Sequence, residues 1–305
     1  MTAHKWIYVD LWQGAESFSI TQMQVMTDDS YNMYSYNVPN FGNLAYEGGW
    51  KTQADIGPDI LYQEEIGNPN SAKPLTWNNA DFAAQYHNND PNVIQGAAHN
   101  QLYMYFTSLD NKYTSLEDIT NNNWITLAVS NDKGTSWTDL GQIYKGWSPS
   151  ALWEYGKVDV FYNTASAETQ MVQFGSNGTN VISEGKTLMD ITTNSPIHAI
   201  NVSVCADGNL LVLVGNDAEH YGHFGDILAY VALASDPYSW KPLLKTGSTF
   251  IQGGNVELLT PEIHYIGNNS FDLTFTENLA LQANGLTPNP VPQHTVTMDW
   301  VFQLH

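Results

Sequence analysis

The sequence predicts an all-β protein, a five-bladed β-propeller formed as a single domain over residues 1–305, and three observations carry that expectation. Helical periodicity is almost absent. Short alternating runs rich in Val, Ile, Tyr, Phe and Thr recur instead between clusters of Gly, Asn, Asp and Pro, which is the strand-and-turn pattern. A weak internal repeat then groups these runs into units of roughly 45–65 residues and about four strands, the period of a propeller blade, and five such units fill the chain. Two stacked β-sandwiches are the competing architecture, but they require no repeat and so leave it unexplained.

The strand runs in order are QLYMYFTS (101–108), WITLAVSND (124–132), KVDVFYN (157–163), GNLLVLVGN (208–216), DILAYVALAS (226–235), FDLTFTEN (271–278) and HTVTMDWVFQ (294–303). Several contain few polar residues, as strands covered on both faces do. Five segments share a residue before Pro, an apolar stretch, a Gly or Asn turn and a second strand, in several segments ending in an aromatic followed by Thr or Asn. They begin at Gly57, Asp90, Ser148, Ser195 and Thr260. Two are followed by a hairpin closed by Trp, at Trp137 and Trp240. The terminal run TVTMDWVF is expected to lie beside the N-terminal KWIYVDLW and close the ring of blades. In SNDKGTSW (130–137) the spacing Ser-x-Asp-x-Gly-x-x-Trp describes one tight hairpin: Asp132 caps backbone amides, Gly134 takes positive φ, and Trp137 packs beneath the turn.

Composition narrows the partners. Lys plus Arg number 10 against 31 Asp plus Glu, for a net charge of -21, and all ten cations are lysines. A surface this negative repels phosphate backbones and anionic headgroups, so nucleic acid and membrane insertion are excluded as expectations. Without arginine the bidentate clamp for carboxylate or phosphate is missing, which favours neutral or cationic ligands. The lone Cys205, within NVSVCADG, reads as a buried structural thiol. MTAHKWIYVDLW lacks the charged-then-apolar pattern of a signal peptide, so a soluble protein is expected; its compartment stays open, with an extracellular setting favoured.

As they stand, these segments resemble the five-bladed propeller glycoside hydrolases: the arabinanase- and xylosidase-like enzymes and the invertase and levansucrase group. WSPSALWEYGKVDVFYN is similar to the Trp-Ser-Gly-Ser-Ala strand pair of levansucrases, with Pro149 at the Gly position. DPNVI followed by LYMYFT resembles the first catalytic blade of the arabinanase type, and GDILAYVALASDPYSWKPLLKTG a later blade. The SNDKGTSW hairpin has the Asp-box form of sialidase propellers, whose chemistry requires an arginine cluster that this chain lacks.

The resemblance implies a neutral oligo- or polysaccharide as partner and three acids on inner strands. The chemical need is two carboxylates, one raised in pKa to donate and one ionised to attack or to activate water. On that pattern Asp90 is the general base or nucleophile, Glu262 the general acid with Glu257 as rival, and Asp59 the carboxylate that tunes pKa. Trp147 offers an aromatic face to a sugar ring, and Ser148 and His264 offer polar contacts. Each has a plainer reading: Asp90-Pro91 is a turn former, and propeller tryptophans commonly pack blade on blade. Asp10 in VDLW is explained equally well by a closing strand.

DAEHYGHFGD (217–226) holds Glu219, His220, His223 and Asp226, but without a helix its i, i+3 histidines do not share a face, so a loop contributing hydrogen bonds is expected in place of a transition metal. No cofactor is called for. A structural calcium is permitted by the acidic surplus, with His264 or His294 near it.

Two departures from the family pattern stand out: the Arg-Asp-Pro motif is absent, and Ser195-Pro196 occupies the third segment where an Asp is expected. They support a rival reading, a non-catalytic lectin-like or interaction propeller. A lyase of another class is a third.

Overall fold

The computed structural model describes residues 2–3, 8–9, 18–28, 43–48, 60–65, 68–79, 86–110, 121–218, 226–253, 257–268, 270–278 and 295–304. Strands β1 (Thr2–Ala3), β2 (Tyr8–Val9) and β3 (Phe18–Asp28) open the chain. Next, β4 (Asn43–Gly48), β5 (Ile60–Glu65) and β6 (Asn68–Pro74) form a three-stranded sheet. A four-stranded sheet follows from β7 (Tyr86–Gln95), β8 (Leu102–Asp110), β9 (Trp124–Ser130) and β10 (Thr138–Lys145). A second four-stranded sheet comprises β11 (Trp147–Glu154), β12 (Lys157–Asn163), β13 (Thr169–Gly175) and β14 (Val181–Thr187).

The seven-stranded sheet contains β15 (Met189–Asp190), β16 (Ser195–Pro196), β17 (Ala199–Asp207), β18 (Leu210–Asp217), β19 (Asp226–Leu233), β20 (Asp236–Pro242) and β21 (Thr249–Gln252). Finally β22 (Glu257–Gly267), β23 (Ser270–Asn278) and β24 (Thr295–Leu304) join β1, β2 and β3 in a six-stranded sheet. The described residues therefore hold five sheets, one for each expected blade. None of their helices is long and apolar enough to cross a membrane.

The chain divides into two compact units, residues 1–30, 167–169 and 187–305, and residues 31–166 and 170–186. In the second unit, the surroundings of β8 explain why its first five residues, Leu102–Phe106, include no charged side chain. Its alternate residues Leu102, Met104 and Phe106 face the cluster with Leu61, Leu75 and Trp137, while Tyr103 and Tyr105 face the cluster with Ala151, Val158 and Phe174. A strand whose side chains alternate between two covered faces has no place for a solvated residue. Tyr103 and Tyr105 keep their hydroxyls satisfied by donating to the carbonyls of Ser176 (2.8 Å) and Gly178 (3.1 Å). In the other unit Val212, Val214, Ile227 and Ala229 pack on Leu258, Ile263, Phe271 and Leu273. The free thiol of Cys205 lies in that cluster as expected, and burial pushes its pKa up.

The hairpin of 130–137 forms as the sequence predicts. Asp132 Oδ1 accepts from the Ser130 hydroxyl (2.7 Å) and the Ser136 amide (2.9 Å), Asp132 Oδ2 accepts from the Ser136 hydroxyl (2.7 Å), and Gly134 has φ 85°. Burial raises the Asp132 carboxyl, but the hydrogen bonds from Ser136 and Ser130 outweigh it and leave the group below its ordinary value. Trp137 is fully buried, and so is Trp240, whose indole donates to the Pro237 carbonyl at 2.8 Å.

The last strand does pair with an N-terminal one, but its partner is β3, along Thr295↔Asp28 to Leu304↔Phe18, and not KWIYVDLW. Of that earlier run only Tyr8–Val9 is a described strand, and it lies on the other side of β3. The eleven residues of β3 match the ten of β24 in length, which the shorter run cannot.

Candidate functional site

The residue-Pro repeat has one structural meaning. In β7, β11, β17 and β22 the pairing with the next strand slips at a matching place, between Asn89 and Asn92, Trp147 and Ser150, Ile200 and Ser203, and Leu259 and Glu262, with a second shift in β22 between Tyr265 and Gly267. Each matching slip is a β-bulge, whose first and second residues are Asp90-Pro91, Ser148-Pro149, Asn201-Val202 and Thr260-Pro261. Proline suits the second position because an unpaired bulge residue needs no amide hydrogen. Asp90, Ser148 and Asn201 all have positive φ, 50°, 50° and 51°, in the left-handed region that non-glycine residues seldom occupy. A bulge of this kind turns a side chain away from the plain alternation of its strand.

This register corrects one alignment. Ser195-Pro196 is not the third inner position; it forms the two-residue strand β16 paired with β15, and the bulge belongs to Asn201-Val202 six residues later. Proline drew the alignment to the wrong dipeptide, because this bulge uses Val202 in its place.

Two further positions repeat around each bulge. The residue after it carries a polar side chain, which from β7 and β17 reaches the next inner strand: Asn92 Oδ1 accepts from the Ala151 amide (2.9 Å) and Ser203 Oγ from the Ile263 amide (3.1 Å). Opposite the residue before the bulge stands a polar residue toward the end of the second strand, Thr107, Asn163, Asn216 or Thr276. Thr107 Oγ1 accepts from the Ser148 amide (2.7 Å), and Asn216 Nδ2 donates to the Leu258 carbonyl (2.6 Å). These buried bonds satisfy backbone groups along β11 and β22, each of which stands at the edge of its sheet.

Asp90, Thr107 and Ser148 therefore come together. The Thr107 hydroxyl donates to Asp90 Oδ2 at 2.8 Å, while the buried Ser148 supplies its amide to the same hydroxyl. Trp147 begins β11, half-buried, with its indole donating to the Thr164 carbonyl at 3.0 Å. Trp153 takes the plainer role: its ring lies 6.2 Å from that of Tyr103 in the packing between two sheets.

In the other unit, Glu262 stands one position beyond its bulge, in register with Asn92, Ser150 and Ser203 and not with Asp90. His264, two residues along the same face of β22, places Nε2 3.8 Å from Glu262 Oε2. Burial pushes the His264 imidazole down to about 4, so near neutral pH the ring beside Glu262 is neutral. Asp226 caps the Gly253 amide at 3.2 Å. Asp59, Asp10, Glu219, His220, His223 and His294 lie outside the described residues, as does the side chain of Glu257. Among the described residues no three His, Cys, Asp or Glu side chains gather as a metal site.

Sequence reasoning missed Thr107, Asn92, Ser203 and Asn201. The signal for the first was present in the recurring Thr or Asn after a strand-final aromatic. The signal for Asn92 was the polar residue that follows Pro in DPN, SPS and TPE.

No family model matches the chain, and no curated protein sequence is similar to it at a significant level. Solved structures share its fold. A GH43 β-1,3-galactosidase is 9% identical, with a TM-score of 0.58 over 84% of this chain and 86% of that one. An exo-1,5-α-L-arabinanase from a bovine ruminal metagenomic library is 13% identical, with a TM-score of 0.53 over 90% and 94%. An exo-β-1,3-galactanase of Phanerochaete chrysosporium, captured with β-1,3-galactotriose, is 9% identical with a TM-score of 0.59; the match covers 91% of this chain and 63% of that longer one. The chain thus has the all-β, five-bladed propeller fold, and in structure it resembles the glycoside hydrolases built on it.

Proposed function

We propose that this chain is a glycoside hydrolase or transglycosidase acting on a neutral, furanose- or pentose-rich saccharide. Asp90 serves as general base or nucleophile, Glu262 as general acid and Asp59 as the pKa-tuning carboxylate, while Trp147, Ser148 and His264 contact the sugar. The observation that carries the proposal is the setting of Asp90, an acid in the left-handed conformation at the first position of a bulge, its carboxylate held by a buried hydroxyl. Such strained positions concentrate where a side chain must be aimed. The named activities of the structural neighbours, on galactan and arabinan, and the absence of arginine point the same way, toward an uncharged substrate.

In the mechanism Asp90, kept ionised, attacks the anomeric carbon or takes a proton from the attacking water, while Glu262 in its protonated form donates to the leaving oxygen. The two carboxyls must stand roughly 5–10 Å apart, the shorter separation giving retention and the longer inversion. A neutral His264 beside Glu262 adds no positive charge, so it does not oppose the raised pKa that a general acid needs.

A second reading, saccharide binding without hydrolysis, is favoured by Ser148, Asn201 and Thr260, which place no carboxylate at the other three bulges. Reducing-sugar release from arabinan, xylan, β-1,3-galactan, levan and sucrose, measured for the native protein, Asp90→Asn and Glu262→Gln, separates the two. The hydrolase predicts product that falls at least about 100-fold in both variants. Ligand-dependent stabilisation with no product from any form would establish the binding module.

A further inference from the structure

We propose that Thr107 is the positioning residue of the Asp90 carboxylate, and that the backbone of the neighbouring sheet fixes the direction in which its hydroxyl points. This relation rests on the reading of Asp90 as the reacting carboxylate. Thr107 is 2% exposed, and its Oγ1 meets the Ser148 amide at 2.7 Å and Asp90 Oδ2 at 2.8 Å. An amide can only donate, so the hydroxyl accepts there and its single proton goes to the carboxylate. Amide, hydroxyl and carboxylate form a one-way chain, with each bond polarising the next.

Asn216 occupies the same register in the other unit, opposite Ile200, and ties one strand to the next through the Leu258 carbonyl. At Thr107 the tie is joined to an acid. Pro91, which follows Asp90, has no amide to offer it, and Asn92, Thr107, Ser108, Ser148 and Ser150 at the level of the bulge are all uncharged. A hydrogen bond donated to the ionised form favours the carboxylate over the acid. The left-handed backbone sets where the Asp90 side chain starts, and the hydroxyl sets where one of its oxygens ends.

The test uses Thr107→Val, which keeps the shape and removes the hydroxyl, and Thr107→Ser, which keeps the hydroxyl. The Asp90 carboxyl carbon is followed by NMR in aspartate-labelled protein, assigned by its loss in Asp90→Asn, and titrated with pH in each variant; saccharide hydrolysis is measured in parallel. Thr107→Val should move the Asp90 midpoint up by about one pH unit, the worth of one charge-assisted hydrogen bond, and Thr107→Ser should restore it. An active enzyme should show the acidic limb of its kcat profile moving by the same amount. A midpoint equal in all three proteins, with only the melting temperature of Thr107→Val lowered, would overturn the proposal and leave Thr107 a strand tie. Should the midpoint move while even the native protein releases no sugar, the positioning relation stands and the hydrolase reading falls. An active native enzyme with an unmoved midpoint is the reverse case.

Discussion

Replacing Asp139 by Asn should make the protein more stable at about pH 7.5 and leave it nearly unchanged at about pH 4. Asp139 is the second residue of the outer strand β10 and is buried. Its Oδ1 accepts from the Gly141 amide at 2.6 Å, whereas Oδ2 is buried without a hydrogen-bond partner. Burial pushes this carboxyl up to about 6 from 3.8, and the Gly141 bond offsets only part of that. A folded-state pKa above the unfolded one means that the folded protein binds the proton more tightly. The contribution is therefore fully present below about pH 4 and is lost as pH rises through about 6.

The shift of about 2 units sets a ceiling near 3 kcal/mol, and solvent screening of a group near the surface leaves about 1–2 kcal/mol. Asn keeps the acceptor for Gly141 and carries no charge. The two bonds from Asn79 go to the backbone of residue 139, Asn79 Nδ2 donating to its carbonyl (2.8 Å) and Asn79 Oδ1 accepting from its amide (2.9 Å), so both survive. Urea unfolding of both proteins across this pH range gives the difference directly. A difference that stays constant with pH, or an Asn variant that is less stable at about pH 7.5, would refute the assignment of an unpaired buried charge.

His264 should titrate with the opposite sign: its folded pKa of about 4 lies below the usual 6.5, so stability present above about pH 6.5 falls as pH drops toward 4, by up to about 3 kcal/mol. His264→Gln should flatten that acid limb of the urea profile, and an unchanged limb would show that the ring is not buried neutral. Removing a strand tie should cost stability in either unit: Asn92→Ala leaves the Ala151 amide unsatisfied and Ser203→Ala leaves the Ile263 amide so, each at about 1–3 kcal/mol by denaturant unfolding.

The sequence made the strands plain and the bulges opaque. Runs such as KVDVFYN and FDLTFTEN coincide with β12 and β23 nearly residue for residue, because alternation with period two is a strand signature that local sequence records. The hairpin around Asp132 was legible because each of its bonds is local. A bulge is different: it is defined by what the partner strand does, and its only local trace is a proline that the geometry permits but does not require. Hence Asp90-Pro91 and Ser148-Pro149 were aligned correctly, while Asn201-Val202 was missed in favour of Ser195-Pro196. Thr107 was hidden for a related reason. Its partners Asp90 and Ser148 lie on two other strands, and no spacing along the chain expresses a three-strand meeting point.

The pairing of β3 with β24 brings the first long strand against the last one, so nearly the whole chain lies between partners. During synthesis β3 must wait, its edge unpaired, until β24 has been made, and the six-stranded sheet is completed only then. Closing so long a loop costs little more entropy than closing one half its length, because the cost grows only logarithmically. The greater hazard is kinetic, since an open strand edge invites other chains for as long as it waits. β24 enters between β3 and β23, hydrogen-bonding to both, and so acts as a latch whose arrival removes two exposed edges at once.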